Sequence, residues 1–203
     1  GEGGCNDNYI YGNNFSHAPT NGIEVTFSRN RIQGNFITEC TYGIWGGYSY
    51  GSLIFGNWLA NCRTAIAIEH GQNDTIRQNI IQNNPVGVQL WARGEQPADW
   101  GYAQKRDTRS REVVIDHNVF QDVRKPLKIS GSQNIAVNGV NLFYRFDTLL
   151  ETSIPNEKLR FWRNDIYGSA TQIAQVWQHP ELTAQRNLNF SHPGEQPADP
   201  YAT

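Results

Sequence analysis

The sequence predicts an all-β chain wound as a single-stranded right-handed parallel β-helix of about seven 22-residue coils, on the strength of two repeats in register. The strings "IYGNNF", "IQGNFI", "IFGNWL" and "IRQNII" begin at Ile10, Ile32, Ile54 and Ile76, 22 residues apart each time. "IDHNVF" follows at Ile115, a step of 39 that equals one repeat plus a 17-residue insertion, and weaker copies start at Val137 and Phe161. A second register repeats the spacing: "NGIEVTF", "YGIWGGY", "TAIAIEH", "VGVQLWA" and "KPLKISG" place an apolar residue at 23, 44, 66, 88 and 127, and "DTLLETS" continues it at Leu149.

Within each repeat, short apolar–polar alternations are punctuated by Gly or Asn, the pattern of strands joined by tight turns. Leucine-rich repeats share this period but need several Leu at fixed offsets; here β-branched and aromatic residues dominate. A coil cannot bury its own apolar face, so coils must stack, and equivalent positions form columns along the axis. With 203 residues the chain makes one domain: the helix over 1–177, with an insertion loop at 92–112, then a cap and extended tail over 178–203. The net charge of −2 gives no case for nucleic acid or an anionic membrane, and no apolar run is long enough to span a bilayer. The chain contains no Met and opens on "GEGGC" without a signal segment. It is therefore read as a processed product or a fragment whose targeting segment is missing, with further N-terminal coils of the same polypeptide as an expected partner.

Taken in order, Asn13, Asn35, Asn57, Asn79 and Asn118 occupy one position of successive coils. Asn tolerates left-handed turn conformations and its amide can bond the neighbouring coil, so these residues are expected to form a buried structural ladder. Cys40 and Cys62, also 22 apart, are expected as stacked buried thiols, and three Cys without CxxC spacing argue against zinc. In the strands from 23, 44, 66, 88 and 127, alternation sends Ile23, Val25, Ile44, Ile66, Ile68, Val88, Leu90, Leu127 and Ile129 inward. One outward column is then Glu24, Trp45, Ala67, Gln89 and Lys128; the next is Thr26, Gly47, Glu69, Trp91 and Ser130. A solvated face should carry Thr, Ser and Lys, whereas this one carries indoles, carboxylates and a Gly notch beside Glu69.

The insertion "ARGEQPADWGYAQKRDTRSRE" leaves the coil after Trp91, next to the strand end that carries His70. Excursions of this length are commonly functional, and this one mixes Trp100 and Tyr102 with Arg93, Lys105, Arg106 and Arg109. It is expected to wall a groove floored by Glu24, Trp45, Glu69 and Trp91, with Tyr48 at the same edge. The bland alternative is that Arg106, Arg109 and Arg111 pair with Asp107, Glu112 and Asp116 merely to hold the loop. "GEQPAD" occurs at 94–99 and again at 194–199, a duplication without a physical account. Beyond residue 150 the period fades; "GSATQIAQVWQ" reads as a short helix or a last strand.

These motifs resemble the right-handed parallel β-helix repeat superfamily, which includes pectate lyases, polygalacturonases, alginate epimerases and lyases, and NosD-like proteins. The resemblance covers roughly residues 8–168 and is closest in "IEHGQ" and "WGY…KRDTRSR" to bacterial secreted β-helix proteins. It implies a secreted or periplasmic bacterial protein, carbohydrate-active and acting on a polysaccharide or oligosaccharide laid along the outer face. Hydrolysis needs a paired acid and base, for which Glu24 and Glu69 are the candidates, with Cα atoms about 12 Å apart from strand spacing. Elimination or epimerisation needs a base and neutralising cations, for which His70, Tyr48 or Tyr102 and Arg93, Lys105, Arg106 or Arg109 are available. The paired-Asp pattern of polygalacturonases and the acidic calcium cluster of pectate lyases are absent, so no cofactor is assigned and calcium has no motif. The alternative is a non-catalytic carbohydrate-binding or surface-adhesion module using Trp45 and Trp91 as platforms. A NosD-like copper role would need clusters of His, Met or Cys, against zero Met and five scattered His.

Overall fold

The computed structural model describes residues 4–94, 96–185 and 187–190. Three parallel sheets run along one axis. Sheet A stacks eight strands, beginning Tyr9–Tyr11, Arg31–Gln33, Leu53–Phe55 and Thr75–Arg77 and ending at Leu182–Gln185. Sheet B stacks seven, from Phe36–Thr38 through Trp58–Ala60 and Ile80–Gln82 to Leu188–Phe190. Sheet C stacks six: Asn21–Glu24, Tyr42–Trp45, Thr64–Glu69, Val86–Trp91, Lys125–Ser130 and Leu150–Glu151. The chain visits the sheets in turn, as a parallel β-helix in the right-handed sense that parallel crossovers take. The eight strands of sheet A make eight turns, the last built from 182–185 and 188–190 where the sequence period has already faded.

Register follows from which side chains must leave water. Ile32, Ile54, Ile76 and Ile115 stack inside sheet A, Ile37, Leu59 and Ile81 inside sheet B, and Ile44, Ile66, Val88 and Leu127 inside sheet C. A one-residue slip would turn every one of them outward, and each fully buried Ile or Leu contributes roughly 1.5–3 kcal/mol.

At the turn from sheet A to sheet B, Asn35 and Asn57 are buried. Asn57 Oδ1 accepts from the backbone N–H and side-chain amide of Asn35, at 2.9 and 3.0 Å. Asn57 in turn donates to the Ile32 carbonyl and to Asn79 Oδ1. The pattern repeats through Asn79, Asn118 and Asn141, so buried turn amides are bonded from coil to coil. Cys40 and Cys62 are buried free thiols, and burial pushes the Cys62 thiol up to about 11.

After the sheet B strand Asp165–Tyr167, the helix Ala170–Val176 follows, with Ile173 and Val176 packed into the core cluster. Ser169 and Gln172 form a capping box at its start. Among the described residues the other helix is the short Gly101–Lys105 of the insertion.

Candidate functional site

The outward columns of sheet C lie in the register the alternation gives. Glu24 stands beside Trp45, Trp45 beside Ala67, Ala67 beside Gln89 and Gln89 beside Lys128. In the next column Glu69 is flanked by Trp91, which is flanked by Ser130. Trp45 meets Trp91 edge-on at 5.5 Å and Tyr42 at 5.0 Å, and Ala67 beside them is fully buried. The Gly47 notch is taken up by the neighbouring indole: a Cβ there would sit 3.2 Å from Trp45 Nε1.

The carboxylate of Glu69 is only 12% exposed. It accepts the indole N–H of Trp91 at 3.0 Å and an ion pair from Arg93 Nε at 2.6 Å. Glu24 is exposed on the far side of Trp45, where its carboxylate accepts from the Asn21 amide at 2.7 Å. Toward the other end of the sheet, Lys125 and Lys128 both engage Glu151.

His70 follows the strand of Glu69 in a left-handed conformation, and so do Tyr48 and Phe27 at the equivalent positions one and two coils earlier. The three rings stack face to face, Phe27 on Tyr48 at 4.9 Å and Tyr48 on His70 at 4.7 Å. Trp100 and Tyr102 of the insertion pack edge-on against this stack. The buried His70 ring bonds the insertion through both nitrogens: Nδ1 meets the Thr108 carbonyl, and Nε2 accepts the Arg93 backbone N–H at 3.2 Å. Burial lowers its pKa, with the Thr108 bond opposing, so the neutral ring is favoured. Tyr48 donates its hydroxyl to Gln96 at 2.9 Å, and Gln72 donates to the carbonyls of Asp107 and Arg109.

The loop's cations are placed as follows. Arg109 and Arg111 converge on Asp107, whose carboxyl is held down to about 2 chiefly by Arg109. Arg106 lies over the Tyr50 ring at 4.3 Å, and Lys105 is exposed at the end of the short helix. A cavity of about 600 Å³ opens between loop and coils, lined by His70, Arg93, Gln96, Thr108, Arg109 and small residues.

The structure thus brings Trp45, Glu69, Trp91 and Arg93 together, and gathers Tyr48, His70, Trp100 and Tyr102 into a separate aromatic cluster under the loop. Glu24 stands apart from both. Sequence reasoning missed Tyr42, Phe27 and Gln96. Phe27 could have been found, because aromatics recur at 27, 48 and 70 with nearly the coil spacing; nothing local marks Gln96 as the partner of Tyr48.

The family model described as periplasmic copper-binding protein (NosD) matches residues 3–98, just under half of the chain. The stacked parallel sheets make the chain a parallel β-helix, and over residues 3–98 it is similar to that family. No curated protein and no solved structure matches it. The copper of that description can be tested against the donors in place. His17, His117 and His179 lie beside single carboxylates, Glu39, Asp116 and Glu181, while both nitrogens of His70 are engaged. Cys62 holds its proton tightly, and among the described residues no group of three or more His, Cys, Asp or Glu is arranged to hold a metal ion. These donors do not fit copper.

Proposed function

We propose that this β-helix protein is a secreted or periplasmic carbohydrate-binding module that takes a polysaccharide along the outer face of sheet C. The observation that carries this reading is the contacting cluster of Tyr42, Trp45 and Trp91 on a strand face, with Gln89, Lys125, Lys128 and Arg93 around it. Aromatic rings receive the C–H face of a sugar, while amides and cations hydrogen-bond its hydroxyls. The periplasmic side of the proposal draws on the family match over 3–98.

Binding is favoured over turnover by the state of the acid–base candidates. Glu69 is already committed to Trp91 and Arg93, and His70 is enclosed with both nitrogens bonded to the loop. A general base must reach the proton it removes. The lyase, epimerase or hydrolase reading therefore requires the loop to open.

The test is affinity electrophoresis against neutral and uronate-containing polysaccharides, with parallel assays for new reducing ends and for ultraviolet absorbance of unsaturated ends. Retention without product is expected. Trp45→Ala and Trp91→Ala should each weaken retention about tenfold, with circular dichroism showing the coils intact. Turnover that Glu69→Gln abolishes would overturn the binding reading in favour of catalysis.

A further inference from the structure

A second strip of side chains lies on a different edge of the coil, at the corner between sheets A and B. Phe36, Trp58, Ile80, Val119 and Leu142 are outward residues of five successive sheet B strands, each in register with the next. Trp58 is 46% exposed and Phe36 37%, and their rings meet edge-to-face at 5.1 Å. Across the turn, Phe55 and the half-exposed Val140 form the opposite lip of a groove of about 590 Å³. The Trp58 indole N–H meets no acceptor among the described residues. At the N-terminal end, Tyr11 lies over Gly34 and stacks on Tyr9 at 5.3 Å, both rings more than half exposed.

We propose that this corner is a second glycan platform, for a neutral, extended polysaccharide lying parallel to the helix axis, so that the protein is bivalent and cross-links polysaccharide chains. The inference rests on the reading of the protein as a polysaccharide binder but concerns a separate face. The shape of the strip selects its occupant. From Phe36 to Leu142 it runs four coil steps, about 19 Å, and a three-residue strand makes it only about 10 Å wide. That is a few hundred Å² at most, well short of the roughly 800 Å² per partner of a stable protein interface. Four of the strands beneath it are paired on both sides, and the end strand Phe36–Thr38 already bonds Asn13, Phe15 and His17 along its outer edge, so no open edge invites a peptide to add as a further strand. The rim offers no surplus of positive charge for a polyanion: Arg77 is paired with Asp116 at 2.7 Å, and Asp165 stands at the far end. A chain of uncharged pyranoses fits what remains, because a sugar ring is comparable in length with the coil spacing of about 4.8 Å. Its C–H faces can lie on Trp58 and Phe36 while Gln78 and His117 of the groove take its hydroxyls.

The experiment uses the whole chain with glucomannan and hydroxyethyl cellulose as probes, reading retention in affinity gels and growth of light scattering on mixing. The wild type should be retained and should increase scattering as chains are bridged. Trp58→Ala should remain retained through sheet C but lose the scattering growth and weaken retention about tenfold; Phe36→Ser should act in the same direction. Trp58→Ala indistinguishable from wild type, while Trp45→Ala or Trp91→Ala abolishes retention, would overturn this inference and leave the sheet C reading standing. Loss of all retention in Trp58→Ala with Trp45→Ala and Trp91→Ala unchanged would support the corner and overturn the sheet C reading. A wild type retained by neither probe overturns the inference. A wild-type dimer in size-exclusion chromatography that Trp58→Ala renders monomeric assigns the strip to a second copy and overturns it as well.

Discussion

The outer face of sheet C and the corner between sheets A and B are built from the same repeat, yet they dispose of their aromatic side chains in opposite ways. On sheet C the indole of Trp91 is fixed by Glu69, Glu69 is held by Arg93, and the neighbouring edge lies under the insertion. At the corner, Trp58 and Phe36 touch each other and are otherwise open. Polar atoms near the insertion find protein partners because a long excursion supplies them; the corner has only two- and three-residue turns, and among the described residues no excursion covers its rings. Aromatic content alone therefore does not say where a ligand can sit. What differs between the two faces is how far the protein itself fixes the rings before a ligand arrives.

The most severe way to break this comparison is to remove the support behind the corner. Asn57 is buried directly between Gly56 and Trp58 and satisfies Asn35, Ile32 and Asn79 together. Asn57→Ala leaves several buried polar groups without partners, and urea unfolding should show a loss of about 4 kcal/mol. A loss below about 1 kcal/mol would mean that the turn amides are satisfied by water.

The next largest effect is expected at the turn between sheets C and A, just after the strand end of His70. Asp74 is fully buried; its Oδ1 accepts from the Ser52 backbone N–H at 2.8 Å and the Ser49 hydroxyl at 3.1 Å, and its Oδ2 has no partner. Burial pushes its carboxyl up to about 7. The folded state therefore binds this proton more tightly than the unfolded chain does. Its contribution is fully present below the unfolded value of 3.8 and declines as pH rises toward about 7. Between those limits the decline should reach about 3 kcal/mol, less than the full shift implies because a charged Asp74 would draw in water. In Asp74→Asn this part of the pH dependence of the melting temperature should vanish. An unchanged slope would place the titrating group elsewhere.

A smaller effect is expected from replacing residues 95–110 with a short Gly-Ser turn. The coils should stay folded, since the core columns do not pass through the insertion. His70, Gln72 and Tyr48 would exchange their loop partners for water, at about 2 kcal/mol in total. The same replacement should expose the sheet C edge and change the part of glycan retention lost in Trp45→Ala, while leaving the part lost in Trp58→Ala untouched. Equal changes at both faces would erase the distinction between them.

The mildest change is Glu69→Gln. The amide can still accept the Trp91 N–H, and the lost ion pair involves an Arg93 side chain that is 76% exposed, so solvent already screens it. Stability should fall by less than about 1 kcal/mol, with retention preserved. A large loss would mean that the carboxylate charge organises the whole sheet C face.

The sequence by itself determined the coil. A 22-residue period with alternating apolar positions leaves only one arrangement that buries Ile32 on Ile54 on Ile76, and the same alternation assigns Glu69 and Trp91 to adjacent outward positions. Only the tertiary structure decided what those outward side chains do. That Arg93 turns back to Glu69, that Gln96 caps Tyr48, and that Thr108 meets His70 depend on the path of a loop with no period, whose contacts span 24 to 48 residues in sequence. The helix Ala170–Val176 was one of two readings that "GSATQIAQVWQ" left open, and packing of Ile173 and Val176 on the core decided it; the bare corner at Trp58 was out of reach. Repetition fixes where a side chain points, but its partners come from whatever else folds against that face.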